Sequence, residues 1–341
     1  MNLREFSQHL GLSPTTVSRA LNGYPEVREA TRQRVMEEAR RLNYQPDSRA
    51  RGLATGHGMT IGHVIPAHAQ GELVNPIFGD FIAGATSAGA AKGYDISLTI
   101  ADDDDEARIY RKIKSEGLVA GIVLQGPRMN DRRIGMLNDI GLEFVVHGRA
   151  SEVAVPYSWV DVNNQRAFHQ ATRFLTDLGH ERIGLINGRL EFDFAHRRRN
   201  GYLAALHEVG LPVEDDLQIS GDMTEANGYA AAKSMLTIKQ PPTAFLAASV
   251  MSAIGVRRAL HDAGLILGRD VSLITYDDDL SYLSNRESPP FFTAIRSSVR
   301  LAGEKVVDVL LRRLGNPSRD HEDVLLEAEL IVGTSTGPCR Q

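Results

Sequence analysis

The sequence predicts an all-α head of three helices containing a helix-turn-helix, followed by a two-lobed α/β body built on parallel sheets with Rossmann-like lobes. Three observations carry this expectation. Residues 11–23, GLSPTTVSRALNG, read as a tight turn and a short helix. From Thr60 onward, short apolar runs alternate with helical stretches, and that alternation comes twice, in two similar halves. With 341 residues, 42% hydrophobic and 24% charged, the chain has room for both parts and for a large core.

In the head, Leu3, Phe6 and Leu10 recur at i, i+3, i+7, the spacing of a first amphipathic helix. Gly11 supplies the turn, Ser13 an N-cap and Pro14 the first helical position, while Val17 and Leu21 (i, i+4) give the second helix an apolar stripe. Thr15, Thr16, Ser18 and Arg19 then face outward, with hydroxyl, methyl and guanidinium groups suited to the edges of DNA bases. A plain αα-hairpin in a core is the other reading of these residues. A third helix is expected from about Glu29 to Leu42, where Val35, Ala39 and Leu42 recur at helical spacing. Arg28 stands where a Ser or Asp cap would contribute ~1 kcal/mol, so this helix should start poorly. The following NYQPDSRARGLATGHG, with one Pro and three Gly, reads as a linker. The expected boundaries are 1–45 for the head, 46–58 for hinge and linker, and 59–341 for the body.

Charge follows the same division. The chain carries −5 overall, yet residues 1–52 hold nine Arg against six Asp/Glu, a balance of +3 that leaves −8 for the remainder. Lys92 is the first lysine, so the head's cations are all guanidinium groups, suited to bidentate contact with guanine and phosphate. A basic head on an acidic body fits a dedicated DNA-binding module and argues against adhesion to nucleic acid along the whole surface. The first residues lack the apolar core of an export signal, and no run approaches the ~18 apolar residues of a membrane span, so a cytoplasmic protein without membrane contact is expected. A single cysteine, Cys339, excludes an internal disulfide framework and a cysteine-based zinc site.

The body opens with the strand TIGHVIP. A helix from about Phe78 to Ala91 follows, then YDISLTI, a helix over Glu106 to Glu116, LVAGIVLQ, a helix near Ile134, and LEFVVHG. The second half runs YSWVDVN, a helix to Leu178, RIGLING, a helix to Val209, LQISG, a helix to Leu236, TAFLAAS, a helix to Ala263, and VSLITYDD. Two lobes of βα units imply a cleft, and ligands of open α/β sheets bind beyond the carboxyl ends of strands. Here those ends are Pro66, Gln125, His147–Arg149, Asp161, Asn187–Arg189, Ser249 and Asp277. Neither a GxGxxG fingerprint nor a GxxxxGK[ST] loop follows any of them, so no cofactor is expected.

Taken in order, SPTTVSRALNG, RLNYQPDSRARGLATG, IGHVIP, DLGHERIGLING, RRRNGY and ITYDD resemble the LacI/GalR family of bacterial transcription regulators over nearly the whole chain, with the similarity leaning toward regulators of α-glucoside use. The resemblance implies a periplasmic-binding-protein-like body, a homodimer on a pseudo-palindromic double-stranded operator, and a small carbohydrate effector in the cleft that changes operator affinity. Repression is the expected direction, in a cytoplasmic, nucleoid-associated protein. The resemblance places Thr15, Thr16 and Arg19 on major-groove bases and Ser18 and Asn22 on phosphates. Asp47–Leu53 matches the family's hinge helix, with Leu53 as the minor-groove wedge and Arg49 and Arg51 near phosphates. In the cleft it places Asn75 and Phe78 after the first strand, Arg198 as the ligand-gripping arginine and Asp277 as the facing carboxylate. Gln125, Arg149, Asp161, Phe192 and Ser249 are further pocket candidates from strand ends and loops.

The chain departs from the family pattern in four places. Ser249-Val250 stands where Asn-Asp is frequent, Met223 where an aromatic often stacks on the sugar, Gly148 at the acidic position before Arg149, and Gly333 in place of an arginine. These bear on the ligand alone, leaving a disaccharide, monosaccharide, sugar acid or phosphorylated sugar open.

Two other function classes compete with this one. Asp102–Asp105 or Asp277–Asp279 could start a metal-dependent hydrolase, but neither has a spaced third ligand or a His partner, and no HExxH or GxSxG occurs, so neither an enzyme nor a metal site is expected. A solute-binding sugar receptor without a regulatory role shares the two-lobed body, but it leaves the first 55 residues without a purpose.

Overall fold

A capping box opens the first helix, α1 (Leu3–Leu10). The Asn2 side chain accepts the Glu5 N–H and the Glu5 carboxylate accepts the Asn2 N–H, each at 3.0 Å. Gly11, at φ 62°, ends α1 in the left-handed region that glycine tolerates. Ser13 Oγ then accepts the Thr16 N–H at 3.1 Å and starts α2 (Pro14–Leu21). The third helix, α3 (Glu29–Arg41), begins at Arg28 without a side-chain cap, as the sequence leads one to expect. Phe6, Leu10, Val17, Ala20 and Val35 form the head's core, with Tyr44 stacked on Phe6 at 4.1 Å. The buried pair on α2 is Val17 and Ala20 (i, i+3); Leu21, expected in the stripe, is only half-buried at the edge of the core.

The computed structural model describes residues 1–21, 24–44, 58–66, 73–102, 105–117, 119–277, 279–283, 285, 287–316 and 318–340. Asn22, Arg49, Arg51 and Leu53 lie outside the described residues. The chain divides into two compact units, Met1–Thr60 with Lys112–Ala120, and all that remains.

The body holds two six-stranded sheets. One has the order β2-β1-β3-β4-β5-β11, from β1 (Thr60–Pro66), β2 (Asp95–Ala101), β3 (Gly121–Gln125), β4 (Phe144–His147), β5 (Ser158–Val162) and β11 (Asp323–Leu326). The other has the order β7-β6-β8-β9-β10-β12, from β6 (Ile183–Asn187), β7 (Gln218–Ser220), β8 (Ala244–Ala247), β9 (Ser272–Tyr276), β10 (Thr293–Arg296) and β12 (Glu329–Ile331). Parallel ladders join β1 to β3, β4, β5 and β11, and β7 to β6, β8, β9 and β10, while β12 runs antiparallel to β10. Their apolar runs, buried on both faces, are those of helix-covered sheets. The covering helices are α4 (Pro76–Ala91), α5 (Glu106–Glu116), α6 (Arg132–Ile140), α7 (Asn164–Asp177), α8 (Asp193–Glu208), α9 (Glu225–Leu236), α10 (Val250–Asp262) and α11 (Val299–Gly315). Among the described residues, no helix is long and apolar enough to cross a membrane.

The lobes are not consecutive halves of the chain. The polypeptide passes from the first lobe to the second after β5, returns after β10, and crosses again between β11 and β12, so α11 and β11 complete the first lobe. The strand and helix pattern read from sequence ends at ITYDD, and the structure adds β10, α11, β11 and β12 beyond it. The buried Val299, Ala302, Gly303, Val306, Val307 and Leu310 of α11 fall at a helical spacing that was legible. The short edge strands carry no such period. α11 packs closely on α4 because a methyl on Gly84 would come within 2.0 Å of the Arg300 carbonyl oxygen, and one on Gly303 within 2.2 Å of that of Phe81.

Two imidazoles sit inside the first lobe. His63 on β1 is 4% exposed and meets Phe78 edge-on at 5.5 Å, while the partly exposed His147 stacks on Phe81 at 4.5 Å. Burial, followed by repulsion from His147, pushes His63 down to about 3, and burial pushes His147 down to about 4. The unfolded chain therefore binds more protons than the native one below pH ~6.5, and stability falls as pH falls, by up to ~1.4 kcal/mol per pH unit for each imidazole. Urea unfolding at pH 7, 5.5 and 4.5 is expected to show this acid slope, reduced in His63→Leu; an identical slope in the variant would contradict the assignment.

Candidate functional site

Thr15 and Arg19 are exposed on one ridge of α2 (i, i+4), opposite the buried Val17 and Ala20. Among the described residues Arg19 has no acidic partner, whereas Arg32 pairs with Glu29 and Arg41 with Glu38. Thr16 is half-buried, and its hydroxyl lies 2.8 Å from that of Ser13, so this hydroxyl already has a local partner. Ser18 is likewise half-buried and engaged. The most open polar groups on the second helix are thus a threonine and a guanidinium that has no acidic partner among the described residues.

In the body, the carboxyl ends of β3, β4 and β5 bring Gln125, Arg149 and Asp161 together in the first lobe. Asp161 is 5% exposed and accepts Arg149 Nε at 2.7 Å, while the Arg149 guanidinium lies over the Trp159 ring at 4.9 Å. Burial raises the Asp161 carboxyl above its ordinary range, against the opposing pull of Arg149. The other Asp161 oxygen accepts Nδ2 of Asn164 at 3.3 Å, and the Asn164 oxygen accepts Arg198 Nε at 2.8 Å. Arg198 completes the series by donating Nη1 to the Ala248 carbonyl at 2.8 Å. Its guanidinium is also walled by rings, at 3.9 Å from Tyr276, 4.8 Å from Phe194 and 5.2 Å from Phe168. One hydrogen-bonded line therefore runs from the first lobe into the second through Asn164, the residue that opens α7 just after the first crossover. Gly201 sets the reach, because a methyl there would come within 2.1 Å of the Gln165 carbonyl oxygen and force α8, with Arg198, away from α7.

Asp277, after β9, has the left-handed φ of 56° and accepts the Ser297 hydroxyl at 2.6 Å, so the second crossover holds this carboxylate as the first holds Asp161. Gln125 Oε1 is a buried acceptor with no hydrogen-bond partner among the described residues. A buried amide oxygen in that condition is open to a donor such as a ligand hydroxyl.

Two parts of the chain match known protein families. Residues 3–47 match the model of bacterial regulatory proteins of the lacI family, and residues 172–336 that of the periplasmic binding protein-like domain. The HTH-type transcriptional regulator AglR of Rhizobium meliloti (strain 1021) is 41% identical over 338 residues, 99% of this chain and 95% of that protein. The chain belongs to the LacI family. RafR of Escherichia coli, also an HTH-type transcriptional regulator, is 31% identical over 93% of each chain. The solved complex of the transcriptional regulator CelR with cellobiose superposes with a TM-score of 0.72 at 26% identity, covering 98% of this chain and 99% of that one.

In this LacI-family regulator the pocket candidates fall into three groups. Arg149, Asp161 and Arg198 join in the line described, and Phe192 stacks on Phe194, one of the Arg198 rings, at 5.8 Å. Gln125 and Asp277 offer acceptors near strand ends. Asn75, Phe78 and Ser249 already serve the fold: Asn75 caps α4 through Ile77 N–H, Phe78 packs on His63, and the buried Ser249 hydroxyl caps α10 through Ser252 N–H. Sequence reasoning missed Asn164, Trp159, Tyr276 and Phe194. The doublet Asn163-Asn164 directly after the SWVDV strand was the one available signal for Asn164. Replacing Asn164 by Ala leaves Arg198 Nε and one Asp161 oxygen without their partner, and is expected to cost ~2–3 kcal/mol in urea unfolding; a loss under 0.5 kcal/mol, on the order of a neutral surface change, would show that the line is not cooperative.

Proposed function

We propose that this regulator is a homodimeric repressor whose two heads each read one half of a pseudo-palindromic operator, with an uncharged sugar in the cleft setting operator affinity. Thr15 and Arg19 supply the base contacts of the head, with Thr16 contributing its methyl group. Ser18 and Asn22 meet phosphate, and the hinge reading of Arg49, Arg51 and Leu53 rests on sequence alone. In the cleft, Arg198 grips the ligand through its remaining Nη2, and Asp161, Asp277 and Gln125 accept its hydroxyls, with Asn75, Phe78, Phe192 and Ser249 as supporting wall.

The observation that carries the ligand class is the pairing of the cleft's cations. Arg149 is neutralised by Asp161, and Arg198 is stacked among rings with two of its three nitrogens engaged. Arg149 and Arg198 are matched in number by the buried Asp161 and Asp277, so a phosphate or carboxylate would add uncompensated negative charge to a poorly solvated cleft, which is unfavourable. Neutral hydroxyls match donors and acceptors already in place. The cellobiose bound by CelR is a ligand of this kind. Ligand and operator would be coupled by the ~1–3 kcal/mol usual for allosteric pairs.

One set of experiments tests this reading. Full-length protein should retard DNA upstream of its own gene cluster with steep salt dependence, and maltose, sucrose or trehalose should change that retardation while glucose 6-phosphate and gluconate should not. Arg19→Ala should lose ~1–3 kcal/mol of specific binding per half-site and keep the sugar response, whereas Arg198→Ala should keep the operator and lose the response. No preference for any promoter fragment over random duplex would refute the regulatory reading. A response to the anionic sugars alone would refute the ligand class.

A further inference from the structure

We propose that the two lobes are latched by a pair of equivalent clasps, which open and close together and set how far the cleft is shut before any ligand arrives. In the first clasp, Asp80 on α4 accepts the backbone N–H of Ser281 at 2.6 Å, and Arg300 on α11 donates to both the other Asp80 oxygen and the Ser281 hydroxyl, each at 3.2 Å. Asp80 and Arg300 belong to the first lobe; Ser281 follows β9 of the second, beside Leu280 in that lobe's core. In the second clasp, Asp193 on α8 accepts the backbone N–H of Ser151 at 2.7 Å, and Arg197 donates to the other Asp193 oxygen and, at 2.7 Å, to the Ser151 hydroxyl. Here the second lobe supplies the carboxylate and the arginine, and the first supplies the serine, which follows β4.

The two clasps share no residue, yet they use the same three groups in the same connectivity, with the roles of the lobes exchanged. Both carboxylates are buried, Asp193 entirely and Asp80 to 7% exposure. One oxygen of each takes the arginine of its own lobe and the other takes the serine N–H of the opposite lobe, and hydrogen bonds to a carboxylate are of the strong, charge-assisted class. Backbone contacts reinforce the second clasp, where Asp193 N–H donates to the Pro127 carbonyl at 3.1 Å and Phe192 pairs with Arg128. The first is placed by the close α4–α11 contact, since Gly84 admits the Arg300 backbone itself. Because both span the same two packed lobes, separating one separates the other.

The test needs neither ligand nor DNA, so its result is independent of the function proposed above. Amide hydrogen exchange at Ser151 and Ser281 is measured in the full chain, in wild type, Asp80→Ala and Asp193→Ala. Asp80→Ala should speed exchange about tenfold or more at Ser281 and also at Ser151, which neither Asp80 nor Arg300 touches; Asp193→Ala should do the converse. If each substitution speeds only its own serine, the contacts are separate local bonds and the proposal fails. Should Asp80→Ala not fold, Ser281→Ala removes only the second acceptor of Arg300 and should still speed Ser151 exchange about threefold; no change at Ser151 overturns the proposal.

Discussion

The buried ion pair between Arg149 and Asp161 constrains everything around it. A carboxylate at 5% exposure must have its lone pairs satisfied within the protein. One oxygen takes the guanidinium, and the second takes the Asn164 amide, whose own oxygen is then committed to Arg198. The amide can face both ways because it sits where the chain leaves one lobe for the other. Arg198 and the lobe geometry are therefore one hydrogen-bonded unit, and under the function proposed above a sugar that engages Arg198 acts on the crossover itself.

The rest of the architecture serves that placement. Crossovers occur three times, and the first two carry the side chains that hold the facing cleft acids, Asn164 for Asp161 and Ser297 for Asp277. The third is tied to the first by Asn163, whose N–H donates to the Leu326 carbonyl at 2.8 Å and whose amide donates to Glu327 at 3.1 Å. Helices that deliver functional groups approach each other at backbone distance over glycines, as at Gly201 and Gly84. A fold assembled in this way has few continuous adjustments open to it, and packed lobes joined by crossovers are the kind of element on which a ligand can act as a switch.

The head and the two-sheet body were legible in the sequence because both rest on local signals: a turn at Gly11, a cap at Ser13, and apolar runs at strand spacing. Arg198 and Asp277 could be named from a resemblance in short motifs. The partners that give them their properties could not. Asn164 touches Arg198 across 34 positions, and Arg300 meets Asp80 across 220, so topology, which no window of residues contains, creates these contacts. Ser249 shows the converse: a polar residue at a strand end reads as ligand-facing, and the structure adds that the helix starting there takes its hydroxyl as a cap. Helix α11 was legible by its period, yet its assignment to the first lobe was not, since it follows the last strands of the second.

Trp159 is the only tryptophan in the chain and lies beneath the Arg149 guanidinium, two residues from Asp161. Its fluorescence therefore reports on the cleft floor from inside the full-length regulator, and titrating it on operator-bound protein with a neutral disaccharide is the most direct measurement. A saturable change in Trp159 emission should track release or tightening of the operator with the same midpoint, and should vanish in Arg198→Ala. Operator affinity that responds to the sugar while Trp159 stays silent would place the effector elsewhere and contradict the account.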